Sequence, residues 1–196
     1  MKLLGKIIKL RSTIKKTSDQ RSFKLVIVIE CILNQNSRDF GAATYPSMNK
    51  DILRLCMMYN VGIFQIPCPE MAFLGLFRER KKGQSIRDAL DTEAGWDFCK
   101  KLSIEIVNRI QDYRKNKNKI LAVLGGNPES PGCAIHIEQS NKDTQSLTEK
   151  SGIFMKEFHK ELLKRNIKIP FRGIRDFKAE WLKEDLEWLE QVFANA

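Results

Sequence analysis

Residues 65–70 read Gln65-Ile66-Pro67-Cys68-Pro69-Glu70, a thiol set between two prolines. Each proline lacks an N–H and fixes its own φ. Each also biases the preceding residue toward extended backbone. A thiol that only fills space needs no such framing. Two further cysteines, Cys31 and Cys133, also follow apolar runs. Thiolates are ligands for soft metals and for iron–sulfur clusters. Structural zinc commonly takes four protein ligands arranged as close pairs, and those pairs are missing here. An iron–sulfur cluster normally takes four cysteines. Three would leave one iron open to act as a Lewis acid rather than as an electron carrier. The plain alternative on spacing alone is three unrelated loop thiols. A thiol nucleophile at Cys133 lacks a convincing histidine and acid to activate it. Cys56 and Cys99 fall at core-facing spacing in helical stretches and read as small buried hydrophobes.

Strands must bring such cysteines together. Residues 24–30 form a continuous apolar, β-branched run, the pattern of a strand buried on both faces. Cys31 follows it directly. A helix is expected from about Met48, capped by Ser47, with Ile52, Leu55, Cys56 and Tyr59 on its apolar face. A second strand over residues 62–66 leads into Pro67-Cys68-Pro69. Residues 70–93 read as loop and short helix. A long helix from about Gly95 to Lys115 carries Trp96, Cys99, Leu102, Ile106 and Ile110. A third strand, residues 119–125, opens into the loop that ends at Cys133. Residues 137–150 read as a polar, mobile stretch. A helix over about 151–165, a short fourth strand at residues 167–169 and a helix over 179–194 complete the chain. This alternation predicts one α/β domain with a mostly parallel sheet, of the Rossmann-like three-layer class. In such sheets ligands sit beyond the carboxyl ends of the strands, where all three cysteines fall.

Polar residues near these thiols are candidates for catalysis and binding. Glu70 suits general acid–base work on water, or a plain carboxylate at a helix N-terminus. Ser130 suits a hydrogen bond to substrate, sulfide or water, or a turn hydroxyl. Asn34, Gln35, Asn36 and Arg38 suit binding of a heterocycle or phosphate, or a solvated loop. Gly125-Gly126 permits close backbone approach but is no dinucleotide fingerprint. His136 and His159 read as satisfied histidines rather than ligands.

Cys31-Ile32-Leu33-Asn34, Pro67-Cys68-Pro69-Glu70 and Ser130-Pro131-Gly132-Cys133 occur in the order found in the thiouracil desulfidase family. The chain resembles that family over about residues 24–136, and in particular its TudS-related desulfidase branch, with Cys-Ile/Leu-Leu-Asn-Gln-Asn near the start. The resemblance implies a [4Fe-4S] cluster held by Cys31, Cys68 and Cys133. It also implies removal of sulfur from a thiolated nucleobase or related thiocarbonyl compound without net redox change. The family's usual third motif is Ser-Pro-Ser-Cys-Gly, from which Gly132 and Ala134 depart.

Bulk composition bounds these readings. The chain has 196 residues, 42% of them hydrophobic, with 11 Phe and 3 Trp, enough for a real core. No run approaches the roughly 18 apolar residues of a membrane span. Five scattered cysteines without a CxxC pair argue against a secreted disulfide scaffold, and a cytoplasmic protein is expected. The net charge is +10, from 34 Lys and Arg against 24 Asp and Glu. That keeps a second class of function in view, a basic α/β module binding RNA or nucleotide with a structural metal or none. Residues 1–22 read as a basic amphipathic segment preceding a single domain over 23–196. Lysines break its apolar positions too often for a signal peptide. A helix packed on the domain is expected there, with a membrane surface contacted through residues 1–16 as the alternative. Oligomeric state leaves no signature in the sequence.

Overall fold

In a computed structural model, the structure describes residues 19–141 and 144–196. The expected amphipathic segment therefore falls almost wholly outside the described residues. Four strands form an all-parallel sheet in the order β2-β1-β3-β6. They are β1 (Lys24–Ile29), β2 (Gly62–Ile66), β3 (Lys119–Gly125) and β6 (Phe171–Gly173). The two central strands carry the apolar runs. Val26 to Ile29 and Ala122 to Leu124 are wholly buried, as a sheet covered on both faces requires. Helices α2 (Lys50–Met58) and α7 (Ala179–Ala194) pack against each other, partly through Tyr59 and Phe193. Helices α5 (Glu93–Lys115) and α6 (Ile153–Lys164) form the other packed pair. The result is the three-layer, Rossmann-like α/β arrangement that the alternation predicts. Among the described residues, no helix is long and apolar enough to cross a membrane.

Three short helices sit at the carboxyl ends of the strands. They are α1 (Glu30–Leu33), α3 (Pro69–Leu74) and α4 (Ile86–Leu90). A single 3-10 turn, Gln35–Ser37, follows α1.

The structure corrects three local expectations. Helix α2 starts at Lys50 because the Asn49 side chain, not that of Ser47, accepts from the Ile52 amide. Residues 137–150 contain a hairpin of β4 (Ile137–Asn141) and β5 (Thr144–Leu147). Its polar sequence hides one apolar cross-strand pair, Ile137 with Leu147, that rests on the core. The fourth strand is Phe171–Gly173, not residues 167–169. The Pro170 carbonyl accepts from the Val123 amide, which sets the register Val123 with Phe171. Residues 70–93 hold loop and short helix as expected, with Pro69 the first residue of α3.

Candidate functional site

Pro67 and Pro69 frame a change of element rather than a loop. Strand β2 ends at Ile66 and α3 starts at Pro69, so Cys68 is the helix N-cap. The backbone N–H of Cys68 is held by the Glu30 carboxylate at 2.9 Å. Backbone amides of Glu70 and Met71 point at its sulfur. An N-cap thiol thus faces the positive end of a short helix. Cys31 is the second residue of α1, two residues beyond the end of β1. Cys133 lies in the turn after β3, pinned by two mutual contacts. Gly126 N–H donates to the Cys133 carbonyl at 2.9 Å, and Cys133 N–H donates to Ser130 Oγ at 3.2 Å.

All three cysteines line one cavity of about 470 Å³, with Arg38, Glu70, Arg78, Gly126 and Ser130 among the other walls. Each thiol is buried, at 8%, 5% and 3% exposure for Cys31, Cys68 and Cys133. Cys56 and Cys99 lie in the core away from this cavity, as their helical spacing predicts. All five cysteines are free thiols.

Burial pushes the Cys31 thiol up to about 12, with Arg38 pulling the other way. Burial also raises Cys68, with the Glu70 charge adding to it. Cys133 is raised well above its ordinary value by burial, then by Cys31, Glu70 and Cys68. A catalytic thiol nucleophile is activated by the opposite shift.

Glu70 and Ser130 meet inside the cavity. Ser130 Oγ donates to Glu70 Oε1 at 2.8 Å and stands 3.0 Å from Cys133 Sγ. The Gly132 amide donates to the same carboxylate oxygen at 3.0 Å. Arg38 donates to Asp176 at 2.5 Å and to the Ala42 carbonyl at 2.9 Å. Its charge also acts on Cys31. Asn34 and Asn36 are not among the cavity walls. The Asn34 side chain caps the 3-10 turn by accepting from the Asn36 amide, and the Asn36 side chain donates back to it at 3.1 Å. Gln35 is a buried clamp. Its Nε2 donates to the Cys31 carbonyl at 2.8 Å and its Oε1 accepts from the Thr44 amide at 2.9 Å. His136 holds the Pro128 carbonyl at 2.7 Å, and His159 packs edge-on against Phe171.

Two side chains at the site escape sequence reading. Asp176 balances Arg38 from a loop after β6, and Arg78 enters from a run of exposed residues after α3. Neither belongs to a motif or to a periodic face.

The donor set can be tested against a cluster. Among the described residues, no three His, Cys, Asp or Glu side chains converge closely enough to hold a single metal ion. Thiols on an iron–sulfur cluster ligate different irons, so they stand apart by the size of the cluster. Three thiols around one cavity, two buried arginines to offset thiolate charge, and an unpartnered buried Arg78 Nε fit a polynuclear group better than a single ion. Gly126 fits it too, since a Cβ there would lie 2.6 Å from Cys133 Sγ.

No family model matches the chain, and no solved structure matches it. An uncharacterized protein of Methanocaldococcus jannaschii, MJ0003, is 34% identical over 144 residues, covering 74% of this chain and 81% of its own. The chain belongs to the family of that archaeal protein.

Proposed function

We propose that this protein is a [4Fe-4S]-dependent desulfidase that hydrolyses a thiocarbonyl group, with a thiolated nucleobase or related small molecule as substrate. The observation that carries this reading is the gathering of Cys31, Cys68 and Cys133 from three successive parallel strand ends into one cavity beside Glu70 and Ser130. Cys31, Cys68 and Cys133 would hold the cluster. When bound, it supplies a thiophilic Lewis-acid iron that the protein leaves unligated.

The chain's residues then serve a hydrolysis. Water adds its oxygen to the thiocarbonyl carbon, the C–S bond breaks, and sulfur leaves as hydrogen sulfide. No electrons are exchanged. Glu70 Oε1, fixed by Ser130 Oγ and the Gly132 amide, is placed to accept the proton from water and return it to the leaving sulfur. Ser130 Oγ bridges that carboxylate and Cys133 Sγ, so proton handling and sulfur chemistry share one hydroxyl. Arg38 and Arg78 supply fixed positive charge where negative charge gathers on sulfur.

The test is anaerobic reconstitution with iron and sulfide. About four irons per chain should load, the content of one cluster. Serine at position 31, 68 or 133 should abolish stable loading, whereas Cys56→Ala and Cys99→Ala should not. Thiolated pyrimidines should then release sulfide without a reductant. Absence of loading under strict exclusion of oxygen overturns the reading. RNA binding with a steep salt dependence under those conditions would favour a basic binding module instead.

A further inference from the structure

Arg78 is the only buried residue between positions 75 and 88, and its side chain is 1% exposed. Arginine is almost never this buried unless its charge is answered. Here the answer is incomplete. Nη1 donates to the Leu76 carbonyl at 2.7 Å and Nη2 to the Ser37 carbonyl at 2.6 Å. The carboxylate in ion-pair reach is Glu70, whose Oε2 lies 3.8 Å from Nε. That distance is too long for a hydrogen bond, and Nε is left without a partner. The remaining contact is to sulfur, with Nη2 3.5 Å from Cys68 Sγ.

The backbone is bent to deliver this side chain. Gly75 ends α3 at φ +77°, and Arg78 itself adopts φ +51°. That left-handed region is uncommon for a long side chain. The turn is closed by Arg78 N–H to the Gly75 carbonyl and Glu79 N–H to the Leu74 carbonyl. Phe77 and Glu79 on either side point outward. A loop that needed only a staple to Ser37 would not require a buried cation facing both a thiol and a carboxylate.

We infer that Arg78 is a positioning residue of the desulfidase site, its guanidinium donating to the Cys68 sulfur and orienting Glu70 at the same time. The inference rests on the cluster reading above. An N–H donated to a ligating sulfur withdraws charge from it and raises the reduction potential of the cluster. The same charge, with Nε 3.8 Å from Oε2, attracts the free oxygen of Glu70 while Ser130 and Gly132 hold the other. Lysine keeps the charge but loses the fork.

The experiment compares wild type, Arg78→Met and Arg78→Lys, each reconstituted anaerobically and checked for iron content and thermal unfolding. In Arg78→Met the cluster potential should move to more negative values. Its kcat should fall about 10²-fold, the cost of a misplaced catalytic group, with KM unchanged. Arg78→Lys should show both changes in weaker form. A folded, loaded Arg78→Met with wild-type potential and kcat overturns the role of Arg78 and leaves the cluster reading standing. If the Met variant does not fold, wild-type values in Arg78→Lys overturn it equally. A wild-type protein that holds no iron removes the cluster reading and this inference with it.

Discussion

Glu70 and Ser130 lie 2.8 Å apart, Oε1 to Oγ, although one begins a helix after β2 and the other sits in a turn after β3. Three features converge to make that contact. Pro69 fixes the start of α3, the Gly132 amide binds the same oxygen, and Ser130 Oγ is itself held by the Cys133 amide. Glu70 is 7% exposed, and its Oε1 is fixed by two donors, the positioning that a proton-transfer group needs. Glu70→Gln should keep the cluster and the fold but lower kcat by about 10²–10⁴-fold. Ser130→Ala should lower it by about 10- to 100-fold, the worth of one hydrogen bond to a charged group. Iron content and sulfide release, measured on the same preparations, check both. Loss of iron together with activity would mean that these residues support the ligands rather than the reaction.

Gly132 stands where the motif that the sequence resembles has serine, and the packing leaves no room for a side chain there. A Cβ on Gly132 would lie 2.7 Å from Pro69 Cγ and 3.2 Å from Glu70 Cγ. The first residues of α3 therefore occupy the space a side chain would need. Gly132→Ser should destabilise the fold by about 1–3 kcal/mol through overpacking, read from urea unfolding. It should also slow sulfide release by displacing Glu70. Unchanged stability would show that the turn and α3 separate freely and that steric fit does not account for glycine here.

How much of this was legible in the sequence follows from what each residue's position depends on. Strands β1, β2 and β3 are apolar runs with sharp ends, so Cys31, Cys68 and Cys133 could be placed at strand ends from pattern alone. Parallel topology then required those ends to share an edge. The hairpin of β4 and β5 was missed because its strands are mostly polar and show no apolar alternation, although their pairing is local. The fourth strand was displaced because Ile167 and Ile169 look like a strand, while Pro170 sets the actual register through its carbonyl. Asn34 and Asn36 looked like binding residues because polar loops do. Their side chains in fact satisfy one another at the end of α1. Arg78 was invisible because burial of one arginine within an exposed basic run depends on a left-handed turn that no local pattern announces.

His159 provides a pH test of the scaffold that is independent of the site. Its ring is half-buried beside Phe171, and burial lowers its pKa below the ordinary value, against a hydrogen bond with the Gln145 backbone. The unfolded chain therefore takes up this proton first as pH falls. The stabilising contribution is present above about pH 6.5, the usual histidine value, and is lost as pH drops toward the lower folded-state value. Chemical unfolding between pH 7.5 and 5, as a range of about two units around that value, should show falling stability. His159→Gln should flatten the decline relative to wild type. Parallel curves for the two proteins would show that this histidine is protonated equally in both states.

Gly126 gives the sharpest separation between fold and cluster. It follows β3, bridges to Ala134, and donates its amide to the Cys133 carbonyl. A Cβ at this position would lie 2.6 Å from Cys133 Sγ and 3.5 Å from Ser130 Cβ. Atoms cannot share that space, so the methyl of Gly126→Ala must push the sulfur aside. The surrounding sheet does not depend on this glycine, because β3 already ends at Gly125 and the central strands carry the buried core. The thermal midpoint of the unloaded protein should therefore fall by only a few degrees, about the effect of 1 kcal/mol in a chain of this size. Iron retention after desalting should collapse, because one of three anchors no longer points into the cavity. Should Gly126→Ala load and keep iron like the wild type, Cys133 is not a ligand, and the assignment of three cysteines to one cluster fails with it.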